Sequence, residues 1–531
     1  MPPQPSSRPQ PAPAPGAPRL TDFTRYADAH RHCSREQLWA LFDGTPERLN
    51  IAHECLERHS PRRIAVRIAR ADAPDEAHTF GALNRAASRF AHLLEARGVR
   101  PGERVAIMLE PSLAFYACLF GTLKAGAVAV PLFTLFGPEG LRLRVEDCRP
   151  RMLVLGPAYR PLAQAHPDVE AIVADASFPS LLAPFPTHYE TRTAADDPAI
   201  FQYTSGTTRE LPEAVRHTHR AVVTVMVAAL YGTGVRPGDR FLCPASPAWG
   251  QGLWHGTLGP LALGVPVGAW AGPFDAGRLL RVLAEWRVTN LAAAATHYRM
   301  MKNSGQAGQH RIRLRKMSFT GEPIDDDTRR WAEATFRATL CSMYGTTEVG
   351  VILANYPGAD DFPVKPGSLG RPVPGVEVAV LDAQERPCPP GVVGEIKVRR
   401  RNGWFPTKDR GHTDADGYFY HDGRADDAII SAGWTMSAVE IENVLLAHPD
   451  VAEAAVIAVP DAVRGQVAKA FIVPRHPDRP PDAAGLQAFV QQRLSRHEYP
   501  RIVELTPALP KTPAGKVNRK ALRDREQAAN G

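Results

Sequence analysis

The chain has 531 residues, 44% of them hydrophobic and 22% charged, with a formal net charge of +7. That length allows more than one domain and a large core, and the composition is that of an ordinary globular protein. The basic residues are scattered, which argues against nucleic-acid binding, and the seven cysteines lie far apart without a metal-ligand spacing, which points to reduced thiols and a cytoplasmic location.

Residues 1–20 are a Pro-rich tail without the apolar stretch of a signal peptide, and no fixed structure is expected there. From about residue 80, helical and strand-like runs alternate. FGALNRAASRFAHLLEARG has helical spacing and a Gly stop, and RVAIML is a short apolar strand. SLAFYACLFGTLKAG is helical again and AVAVPL strand-like. The longest apolar run, LFGTLKAGAVAVPLFTLFG at 119–137, contains Lys124, Pro131 and several glycines, so it reads as a buried helix end, a turn and a buried strand rather than a membrane span. RFLCPA, VPVGAW, NLAAAA and KMSFTGEP continue the strands, with helices FDAGRLLRVLAEW and DDDTRRWAEATF between them. This predicts doubly wound parallel sheets. Around 373–400, VEVAVLD, QERPCPPG and GEIKVRR suggest strands joined by turns, a small β-barrel-like part.

After GRADD the alternation restarts on a smaller scale. AIISAGW, VAEAAVIAVPD and VAKAFIVP read as strands, and SAVEIENVLLAHPD and AAGLQAFVQQRLS as helices, with Ser437 and Glu440 placed as a capping box. The expected class is α/β: a large N-terminal domain at 21–423 and a small, mobile α+β lid at 424–531.

FQYTSGTT ends a strand with a loop suited to phosphate. Thr204, Ser205, Thr207 and Thr208 offer hydroxyls and Gly206 permits tight wrapping, although an ordinary surface turn would look the same. It is not a Walker loop. Further stretches follow in order: TGEP at 320–323, YGTTE at 344–348, KDRGHTDADGY at 408–418, GRADDAIISAG at 423–433 and PKTPAGK at 510–516. Together these resemble the adenylate-forming superfamily of acyl-CoA synthetases, adenylation domains and luciferases, over roughly residues 50–525. The GEP, DRGHTDADGYF, GRADD and VRGQVAKAFIV segments look most similar to medium-chain acyl-CoA synthetases.

The resemblance implies ATP, Mg²⁺ and coenzyme A as cofactors, a small carboxylic acid as substrate, and the following roles. Thr204 to Thr208 wrap the phosphates, and Gly321, Glu322, Pro323 and Tyr344 line the adenine site. Thr347 meets the α-phosphate, Glu348 holds Mg²⁺, Asp409 binds the ribose hydroxyls and Arg424 touches ribose or phosphate. Asp426 is the hinge, Gly433 lines the pantetheine channel, and Lys516 neutralises charge as the acid attacks. Acetate-specific relatives carry Trp where this chain has Gly345, which implies an acid larger than acetate. Trp249, with Trp254 and His255 behind it in SPAWGQGLWHG, serves either as acyl-pocket wall or as core.

Two departures stand out. The loop has one extra residue and Glu213 where the family has lysine, and Lys408 replaces the usual glycine before Asp409. Either Arg209 or Arg216 supplies the missing charge, or the protein binds nucleotide with little turnover. With every other motif intact, the working ligase is the expected reading, with loading of a separate carrier protein as its rival within enzymes.

Overall fold

The structure is a computed structural model of the chain. It describes residues 18–530 apart from 72, 204–213, 322–323, 325, 347, 425–427, 433, 511–516 and 518, and apart from a few side chains that include Arg424.

Helix Phe80–Ala96 starts where the Thr79 hydroxyl accepts the Ala82 N–H, and its Leu83, Ala87, Phe90 and Leu94 are all buried. It packs on helix Leu113–Lys124. Next come the turn at Gly126 and the buried strand Val128–Pro131, so the run 119–137 divides as its sequence predicts. Lys124 is 1% exposed and pairs with Glu57 at 3.0 Å.

Six strands form the first sheet, in the order Glu170–Val173, Met152–Leu155, Arg104–Met108, Val128–Pro131, Pro198–Tyr203 and Ala214–Thr218. All neighbours are parallel except the last pair, which is antiparallel. A second hydrogen-bonded path runs through thirteen strands. Its parallel centre comprises Val267–Ala271, Phe241–Leu242, Asn290–Ala294, Lys316–Thr320 and Leu340–Thr346. Beyond Leu340–Thr346 the pairing turns antiparallel and continues without a break into the barrel-like part, through Gly350–Ala354, Ser368–Pro372, Phe419–Arg424, Gly403–Thr413, Gly394–Arg400 and Val378–Leu381. QERPCPPG contributes no strand. Apart from a single bridge of Pro387 to Leu381 it is turn and coil, because prolines cannot donate to a ladder. Strands Ile64–Arg70 and Glu76–Thr79, which close the path, were not legible as a pair.

The lid sheet holds the hairpin Ala428–Ser431 and Trp434–Ser437 with Gly465–Pro474, Val451–Asp461 and Ile502–Leu505. Ile429, Ile441, Leu445, Val456, Ile472 and Leu486 give it a core of its own. It rests on the start of helix Pro138–Cys148. Gly137 N–H donates to the Leu494 carbonyl at 2.5 Å, and Arg496 N–H to Leu135 at 3.1 Å. A Cβ on Gly140 would lie 2.4 Å from the Leu494 carbonyl oxygen, so only glycine permits this approach. Glu440, expected in a capping box with Ser437, whose side chain lies outside the described residues, reaches across to Arg144 at 3.0 Å.

Two stability outcomes follow. Glu57→Ala leaves a buried ammonium without its partner and is expected to cost about 3 kcal/mol in chemical denaturation. Lys408 sits at φ +64, in left-handed backbone. Lys408→Gly is therefore expected to gain about 1 kcal/mol, and a loss in the same assay would contradict the strain.

Candidate active site

Strands Lys316–Thr320 and Leu340–Thr346 run parallel with Phe319 opposite Ser342, so Gly321 and Tyr344 leave the sheet at the same carboxyl edge. Open parallel sheets place ligands at such edges. Gly321 is exposed with φ +94.

Tyr344 anchors the described part of the site. Its hydroxyl donates to Asp409 Oδ2 at 2.7 Å and lies 3.3 Å from Thr407 Oγ1. Asp409 is 5% exposed, its N–H donates to Thr407 Oγ1 at 3.2 Å, and His421 Nε2 lies 3.5 Å from its Oδ1. Across the ladder its Cα partner is Arg424, so the two residues expected at the ribose face each other on adjacent strands. Thr407 and His421 were missed from sequence. Neither carries a clear signal in the sequence: Lys408 between Thr407 and Asp409 is in left-handed backbone and the ladder is bulged there, so simple strand alternation does not place the two together.

Glu348 is exposed two residues beyond the strand, and its carbonyl accepts from Arg400 Nη2 at 2.6 Å. Among the described residues its carboxylate has no ion pair. A single exposed oxygen ligand suits a hydrated Mg²⁺ held jointly with phosphate, and the described residues offer no all-protein cage for one. His217 stands near enough to feel the Glu348 charge, but burial dominates and pushes its pKa down to about 4, so it is neutral at physiological pH.

Gly345 has a structural reason beyond pocket size. A Cβ there would lie 1.9 Å from the Gly350 carbonyl oxygen on the paired strand, which no side chain tolerates. Trp254 is buried; its Nε1 donates to Gln202 Oε1 at 3.0 Å and its ring meets His217 edge-on at 4.9 Å. It is a core aromatic that supports the strands flanking the phosphate loop. His255 is desolvated, with its pKa lowered to about 4. Trp249 is half-buried and stacks 6.5 Å from Trp434, the residue after Gly433 on the lid hairpin. Phe133 closes on Trp434 at 4.5 Å.

The loop 204–213 spans Tyr203 and Ala214, which are Cα partners, so its two ends are pinned together. Thr204, Ser205, Gly206, Thr207, Thr208 and Glu213 lie outside the described residues, as do Glu322, Pro323, Thr347, Asp426, Gly433, Lys516 and the Arg424 side chain. Arg216 is exposed and covers the Phe201 ring at 5.1 Å, on the face of the hairpin opposite His217 and Gln202. It does not face the Glu348 side.

The AMP-binding enzyme family matches residues 53–404, and the AMP-binding enzyme C-terminal domain matches 440–516. The acetyl-coenzyme A synthetase of Bacillus subtilis is 29% identical over 94% of this chain and 95% of its own. The fatty acid–[acyl-carrier-protein] ligase ScoC of Streptomyces coeruleorubidus is 33% identical over 84% of this chain and 91% of its own. Among solved structures, the Brucella canis acyl-CoA synthetase superposes with a TM-score of 0.71 at 29% identity, covering 96% of this chain and 100% of that one. With both family matches in place and Gly321, Tyr344 and Glu348 inside the first of them, the chain belongs to the AMP-binding enzymes, the adenylate-forming acyl-CoA synthetases, and is an AMP-forming acid–thiol ligase.

Proposed function

We propose that the protein activates a medium-chain or aromatic carboxylic acid with ATP and passes the acyl group to coenzyme A. The observation that carries this reading is the buried Asp409, held by Tyr344 and facing Arg424 at the edge where Glu348 emerges. A desolvated carboxylate of fixed orientation suits a pair of ribose hydroxyls.

A carboxylate is a poor acyl donor because it is anionic and resonance-stabilised. In the first step its oxygen attacks the α-phosphorus of ATP and pyrophosphate leaves, giving acyl-AMP. Lys516 and Thr347 neutralise and orient the phosphate oxygens, and Glu348 would hold Mg²⁺, which lowers the charge on the phosphates. In the second step a thiolate attacks the acyl carbon and AMP leaves. The lid turns about Asp426 between steps, which withdraws Lys516 and brings Gly433 to the thiol's path. The hairpin contact of Trp434 with Phe133 and Trp249 supports the second arrangement.

Arg216 covers Phe201, so Arg209 is the loop arginine proposed to replace the family lysine beside Glu213. The free state of all seven cysteines supports a reducing compartment. Among the described residues no helix is long and apolar enough to cross a membrane. A second reading, acyl transfer to a carrier protein, is favoured by one observation: ScoC, at 33% identity, is such a ligase.

Pyrophosphate release should require one class of acid, tested with acetate, octanoate, benzoate and phenylacetate, and the thiol acceptor should be coenzyme A rather than carrier protein. Lys516→Ala should slow release about 10²- to 10³-fold. ATP binding without release across the panel would favour the low-turnover reading. Tyr344→Phe takes a donor from a buried carboxylate and should raise the KM for ATP about tenfold, with little change in the KM for the acid.

A further inference from the structure

Buried polar atoms without a partner gather where the hairpin of strands Pro198–Tyr203 and Ala214–Thr218 meets the segment Gln251–Leu258. They are Gln202 Nε2, His217 Nε2, both amide atoms of Gln251 and His255 Nδ1. Gln202 is only 1% exposed. Its orientation is fixed, because Trp254 Nε1 can only donate and does so to Gln202 Oε1 at 3.0 Å. The unbonded end of the amide is therefore the Nε2 donor. His217 stands on the same face of the hairpin, diagonal to Gln202 across the ladder, and its ring meets Trp254 edge-on at 4.9 Å. An unbonded donor this deep is costly, and where it faces substrate its acceptor comes with the ligand.

Gly250 shows that there is room for one. Apart from its chain neighbours, a Cβ built there would touch only that amide, at 3.7 Å from Oε1 and 3.9 Å from Nε2. The backbone at Gly250 is ordinary right-handed helix, so conformation does not demand glycine. What glycine provides is open space in front of Gln202. Trp249, beside it in the chain, stacks on Trp434 of the lid hairpin. Gln202 also stands two residues before Thr204, where the phosphate loop begins. Two strand residues span about 7 Å. An acid whose carboxylate meets an α-phosphate on that loop thus carries its chain or ring past Gln202 and Gly250.

We propose that the acid bears a hydroxyl or carbonyl oxygen on its chain or ring, bound by the Gln202 Nε2 donor with His217 as second partner, so that the pocket selects a hydroxy or oxo acid over the plain alkyl or aryl acid. The inference rests on the ligase reading above and narrows its substrate. The chemistry follows from the two groups. The Gln202 amide requires an acceptor. His217 is neutral, so its Nε2 either donates or accepts. A hydroxyl answers both cases, and a carbonyl oxygen answers the donor case. A second carboxylate fits less well, because Arg216, the cation of this hairpin, covers Phe201 on the opposite face. An acid without such an oxygen excludes water and leaves the Gln202 donor buried and unbonded, which is what makes a site of this kind selective.

Paired acids test this on the full chain: benzoate against the monohydroxybenzoates, and octanoate against hydroxyoctanoates and oxo-octanoates. Pyrophosphate release gives kcat/KM for each acid, and calorimetry beside a non-hydrolysable ATP analogue gives its Kd without turnover. Release with any acid decides the ligase reading, while the binding ratio within a pair tests the pocket even if nothing turns over, so the two fail separately. At least one oxygenated acid should exceed its parent about 10²-fold in both measures. Gln202→Leu should bring that ratio down to about one. Gly250→Ala, whose methyl fills the space before the amide, should do the same and serves if Gln202→Leu does not fold. Parent and oxygenated acids that bind alike in every pair, no binding of any acid, or a loss in Gln202→Leu that is equal for parent and oxygenated acid overturns the proposal.

Discussion

The hydrogen bond from Tyr344 to the buried carboxylate of Asp409 ties together the two halves of the thirteen-stranded path. Tyr344 ends the last parallel strand, and Asp409 belongs to the antiparallel part beyond it. A carboxylate only 5% exposed is costly unless donors meet it. That requirement holds the two parts in one geometry and aims Asp409 at the carboxyl edge. The Arg424 pairing, the exposed Glu348 and the position of Gly321 are all set relative to this one contact.

A second constraint is the lid's need to touch the large part closely and yet be able to leave. The contact at Gly137 and Gly140 is backbone on side-chain-free helix, which is intimate but small. The aromatic contact of Trp434 with Phe133 and Trp249 brings the hairpin that carries Gly433 beside the residues expected at the acyl pocket. Burying Arg144 there costs desolvation, which makes the interface sensitive to the charge state of its partners rather than merely strong.

Much of the fold was legible from local pattern. The apolar strands and amphipathic helices between residues 80 and 336, and again in the lid, follow periodicity that packing did not override. The motifs were legible through their ordered resemblance to a known family; singly, each also reads as an ordinary turn or charged loop. Long-range register was not legible. Nothing local says that Asp409 stands opposite Arg424, or that Thr407 and His421 join it. Gly345 illustrates the same limit: the sequence suggests room for an acyl chain, whereas the paired strand at Gly350 already excludes any side chain. Nothing local pairs Arg144 with Glu440, which the sequence reads as a capping-box residue; that pairing exists only with the lid in place. QERPCPPG misled because its flanking strands are real and its prolines were underweighted.

The departure in the phosphate loop is confined to a segment whose ends are pinned by the Tyr203–Ala214 pairing, so an inserted residue there need not disturb the strands around it. The whole mechanism turns on attack of the acid's oxygen on the α-phosphorus. The most direct measurement uses an acid labelled with ¹⁸O in its carboxylate, followed by mass analysis of the products. Attack on the α-phosphorus leaves one labelled oxygen in AMP. Label appearing in inorganic phosphate, with none in AMP, would mean a different phosphorus is attacked and would contradict it.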